Sequence, residues 1–93
     1  MLQIRQGDVL LTPVARLPRR AVIAETPGIV IEGERTGHAH RLLGLVALLG
    51  AARYVRGGAP LTHEEHATVT TEPVWYLVTE QREWVGRSSR RYD

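Results

Sequence analysis

Apolar residues come in short runs that Gly and Pro interrupt, and the period of those runs is closer to two than to 3.6. Asp8-Val9-Leu10-Leu11-Thr12-Pro13-Val14 is apolar and β-prone, with Pro13 marking an edge or an end. Ala21-Val22-Ile23-Ala24 predicts a short strand, and Thr26-Pro27-Gly28 a turn. Ile29-Val30-Ile31-Glu32-Gly33-Glu34 predicts the next strand. Arg35-Thr36-Gly37 then turns the chain, so that His38 to Leu43 returns as its hairpin partner.

The apolar stretch Leu42 to Leu49 suits a buried helix or buried strands. Gly44 and Gly50 weigh against a helix, at about 1 kcal/mol each relative to Ala, so strands are expected. Ala52-Arg53-Tyr54-Val55-Arg56 alternates at period two, and Ala67 to Thr71 is a strand by composition. The longest strand signal runs from Val74 to Val85. The expected fold is all-β, a small single-domain barrel or sandwich of about seven or eight short strands. Residues 1–86 form that domain in this reading, and residues 87–93 form a polar tail. Trp75 and Trp84 are expected in the core; with Tyr54 and Tyr76 they could instead stack on bases.

Composition narrows the chemistry. The chain has 93 residues and a formal net charge of +2, too weak a bias to mark a nucleic-acid binder by charge alone. It has no cysteine, which excludes disulfides, thiolate metal sites and a Cys nucleophile. All 12 basic residues are Arg, so Schiff-base chemistry is excluded too. No apolar run approaches a membrane span and no secretory signal opens the chain, so a cytoplasmic protein with no membrane partner is expected.

The least random feature is histidine. All 4 fall in two tight pairs, His38-Ala39-His40 and His63-Glu64-Glu65-His66. On a strand, residues i and i+2 point the same way, about 6.6 Å apart, close enough for two imidazoles to reach one ion. The second pair, at i and i+3, converges in a turn. If the pairs meet, His38, His40, His63 and His66 form a site for a divalent transition metal such as Zn, Mn, Fe or Ni. The second pair is not the zinc-protease helix motif, which needs i, i+4 spacing. Glu64 or Glu65 would serve as general base, and Arg82, near the end of the longest strand, would position an anion.

Gly33-Glu34-Arg35-Thr36-Gly37-His38-Ala39-His40 resembles the opening of the first cupin motif, and Pro60-Leu61-Thr62-His63 resembles the second. That resemblance implies a β-barrel with a metal held by three His and a Glu. The gap from Gly to His is one residue short here, and Leu42, Leu43 and Gly44 stand where the Glu is expected. Arg5 to Leu11, Gly37 to His40, Leu61 to Ala67 and Gln81-Arg82-Glu83 together resemble a family of small bacterial and phage proteins with no assigned activity. This second resemblance implies one intact domain and no particular function.

Three functions remain open on the sequence. The first is a metal site, catalytic as a hydrolase of RNA or another phosphodiester. The second is a metal-free ribonuclease in which two His act as acid and base and an Arg stabilises the phosphorane. The third is a non-enzymatic binding or assembly module. Partners are then RNA or another anionic substrate, or further copies of the chain.

Overall fold

The computed structural model describes residues 2–32 and 37–81. Those residues form ten strands and no helix. They are β1 (Ile4–Gln6), β2 (Val9–Val14), β3 (Val22–Ile23), β4 (Ile29–Glu32) and β5 (Ala39–Leu42). β6 (Val46–Leu49), β7 (Ala52–Arg56), β8 (Pro60–Leu61), β9 (Val69–Thr70) and β10 (Trp75–Glu80) follow. Six of them make one antiparallel sheet in the order β1-β2-β10-β7-β6-β3. β4 pairs with β5, and β8 pairs with β9, as two separate ribbons.

The sheet buries one face because its inward positions are apolar at period two. Val9 and Leu11 of β2, Val46, Val55, Tyr76 and Val78 point into the core. Ile29 and Ile31 of β4, Leu42 of β5 and Leu61 of β8 meet them from the ribbons. The result is a two-layer all-β domain. Of the barrel and the sandwich expected, the barrel does not close among the described residues, because β1 and β3 are the two ends of the large sheet. The strand count also exceeds the seven or eight expected, since two-residue strands such as β8 and β9 are too short to leave a periodic signal.

The apolar stretch before β7 forms strands, as the glycines imply. A Cβ at Gly44 would collide with the carbonyl oxygen of Arg56, so only glycine lets β5 pass into β6 at this point. The aromatic assignment needs correction. Tyr76 is fully buried, with its hydroxyl accepting from Glu72 N–H at 2.9 Å, and Tyr54 is also buried. Trp75 is only half-buried. Trp84, Arg82 and the tail 87–93 lie outside the described residues.

β1 and β2 form a hairpin with Gly7 and Asp8 as its two-residue loop, since Gln6 pairs with Val9. Gly7 has φ 59°, which favours glycine. This loop, the start of β5 and the segment after β8 come together at one end of the molecule. Arg41 and Thr62 exchange two backbone hydrogen bonds of 2.9 Å, which fix the last two of these pieces to each other.

Candidate functional site

The two histidine pairs meet. His38 and His40 project from the same side of the chain at the entry to β5, and the loop after Thr62 lays His63 and His66 against them. Ring centroids are 4.4 Å apart for His40 and His63, 4.5 Å for His63 and His66, 5.8 Å for His38 and His63, and 5.9 Å for His40 and His66. A Cβ on Gly7 would stand 2.6 Å from His66 Nε2 and 3.2 Å from His40 Cε1, so the hairpin loop is glycine for space as well as for its φ.

His40 is the buried member, with 1% of its surface exposed. Its Nδ1 lies 2.8 Å from Gln6 Oε1 and its Nε2 3.2 Å from Asp8 Oδ1. The Gln6 amide cannot turn, because its nitrogen donates to Leu61 O at 3.0 Å and to Ala67 O at 2.9 Å. Gln6 therefore presents its oxygen to His40, and Nδ1–H donates to it. Burial lowers the His40 pKa from 6.5, and the neighbouring His63 adds to that; Asp8 pulls the other way without reversing it.

The other three rings are nearer the surface. His63 Nδ1 accepts from the backbone N–H of Glu65 at 3.0 Å and of His66 at 3.3 Å, which places its neutral-form proton on Nε2. His38 Nδ1 stands 3.5 Å from Glu65 Oε1. Glu64 accepts from Ala39 N–H at 2.8 Å and pairs with Arg41 at 2.8 Å. The Ala39 N–H and the Arg41 guanidinium pull the Glu64 pKa down to about 2.

Converging rings are not converging donors. Among the described residues no three His, Asp or Glu side chains are placed to hold a metal ion. The divalent-metal centre expected at His38, His40, His63 and His66, for Zn, Mn, Fe or Ni, does not form. Part of the reason is competition for nitrogen. Both His40 nitrogens face protein partners, and His63 Nδ1 is engaged by two backbone N–H groups. With neither a donor set of this kind nor a closed barrel, the cupin reading is corrected as well.

The hydrolase and RNA readings, with metal or without it, are overturned together with the metal centre. His40 is sealed from any substrate. Glu64 is held as a brace between β5 and its loop, and a carboxylate with a pKa near 2 is a poor proton acceptor. Glu65 is exposed beside His38, and Arg82 lies outside the described residues. Tyr54 and Tyr76, considered for base stacking, are core residues.

Gln6 was not legible as a site residue. In sequence it is one polar residue before a Gly-Asp turn, whereas in the structure it ties together three segments. Its alternation with Ile4 on β1 places it on the inward face, and that was the available signal.

The arrangement defines a class: a small two-layer β domain whose core is apolar at one end and a histidine-glutamine-aspartate network at the other. Residues 5–81 match a domain of unknown function (DUF8820), and the chain belongs to that family. No curated protein and no solved structure matches the chain. Among the described residues, no helix is long and apolar enough to cross a membrane.

Proposed function

We propose that this domain is a self-assembly module whose partner is a second copy of the same chain. The observation that carries this reading is the end of the large sheet at β3, which has no further strand beside it among the described residues. Val22 there is 67% exposed beside its cross-strand neighbour Leu48, which is also exposed. Leu43, at 70%, and Leu45 are also exposed apolar residues of the segment leading into β6. Ala24 N–H points inward to Val46 O, so the alternation of an antiparallel strand turns the Ile23 N–H and C=O outward. Such an edge is a template for another strand.

Charge selects the occupant. Arg19 and Arg20 precede β3 and Glu25 follows it, and none of the three enters an ion pair among the described residues. An antiparallel approach of two copies brings the arginines of each to the Glu25 of the other, twice over. The histidine network holds the opposite end of the domain rigid and takes no direct part.

Sedimentation of the full chain tests this reading. The expected result is a dimer that dissociates on dilution below about 100 μM. Glu25→Arg should be monomeric, and mixing it with Arg19→Glu/Arg20→Glu should restore a mixed dimer. A wild-type chain that stays monomeric above that concentration, or dimers indifferent to the charge reversal, would overturn it.

A further inference from the structure

A second surface is independent of the sheet edge. At the end of β2 and the start of β10 lies a cleft of about 390 Å³. Its floor is a row of three cross-strand neighbours, Val14, Trp75 and Arg56, because Trp75 pairs with Val14 on one side and with Arg56 on the other. Cross-strand neighbours share a face, so an aliphatic, an aromatic and a cationic side chain stand side by side. Pro13, Ala15, Pro73 and Val74 complete its lining. Arg56 supplies a backbone N–H to Leu45 O, but its guanidinium has no ion pair or side-chain hydrogen bond among the described residues.

We propose that this cleft binds a small carboxylate that carries a planar apolar body. The chemistry follows from the row. The Trp75 indole offers a flat apolar surface for stacking. A guanidinium offers two parallel N–H donors that match a carboxylate in geometry and charge. The volume falls within the range of small-molecule sites, which are mostly apolar with a few fixed polar groups. Val14 and Trp75 are set by backbone pairing, so these elements of the cleft are in place before a ligand arrives. The ligand body lies over Trp75 and its carboxylate turns toward Arg56.

Amide chemical shifts of the full chain, titrated with indole-3-acetate and with neutral indole-3-acetamide, test this. Expected for the acetate are shifts confined to Val14, Ala15, Arg56, Val74 and Trp75, with a Kd of about 1 mM. The acetamide should bind about tenfold more weakly. Arg56→Gln should weaken the acetate by a similar factor and leave the acetamide unchanged, and its dispersed spectrum verifies the fold. Trp75→Ala should weaken both. Equal binding of the two probes, indifference to Arg56→Gln, shifts elsewhere, or no shifts at about 10 mM would each overturn the proposal.

Discussion

The two ends of the core solve the same problem with different forces. Around Leu11, Val55 and Tyr76 the layers are held by apolar burial, which is non-directional and scales with the area removed from water. Around His40 they are held by hydrogen bonds that specify which atom meets which: Gln6 to Leu61 O and Ala67 O, and His40 Nδ1–H to Gln6. The first region tolerates changes of shape if volume is kept. The second tolerates almost no change of chemistry, because a buried polar group that loses its partner retains the full desolvation penalty.

That contrast breaks most sharply under substitution. Leu11→Ala is expected to lower unfolding stability by about 2–5 kcal/mol, and Leu11→Val by clearly less, so damage tracks the volume removed. Gln6→Ala is expected to cost about 1–3 kcal/mol. Gln6→Leu fills more of the space and should be no milder, since it leaves Leu61 O, Ala67 O and His40 Nδ1–H dry. Denaturant titrations of the four variants check this. A Gln6→Leu variant more stable than Gln6→Ala would show that volume governs both ends alike.

Acid should separate the two regions with a smaller effect. The His40 pKa lies below its ordinary 6.5, so the neutral form favours the folded state. That contribution is complete above pH 6.5 and is lost as pH falls through the folded pKa. Wild type should therefore lose stability on acidification below about pH 6.5, and His40→Gln should flatten the slope while lowering the plateau. A slope unchanged in His40→Gln would assign the acid sensitivity to other groups. Further down, Glu64 contributes above its ordinary 4.5 and ceases to as pH approaches about 2, adding a separate acid limb.

The sequence made the apolar end legible. The alternation over Ala52 to Arg56 coincides with β7, the run ending at Val14 contains β2, and Ile29 to Glu32 pairs with the strand after the turn as the hairpin reading implies. The polar end was legible only in part. The histidine pairs point to one another because i and i+2 share a strand face. What they do once together depends on Gln6, on the carbonyls of Leu61 and Ala67 and on two backbone N–H groups. Backbone atoms are invisible in a residue alphabet, so metal coordination was the natural expectation and competition for the nitrogens was not. Trp75 misled for a related reason: size suggests burial, but register set it in a row between Val14 and Arg56.

Gln6 also bears on the order of events in folding. Its amide and its His40 contact join positions 34, 55 and 61 residues away along the chain. None of these bonds can form until the first hairpin, β5 and the segment after β8 have all arrived, and closing such long loops is slow. We infer that the network locks after the rate-limiting barrier, so that it governs how fast the native state opens and has little say in how fast it forms. In stopped-flow measurements Gln6→Ala should then leave the refolding rate nearly unchanged and accelerate unfolding, and slowed refolding would place the lock before the barrier. A small domain with such a lock stays shut for longer than its modest core alone would allow.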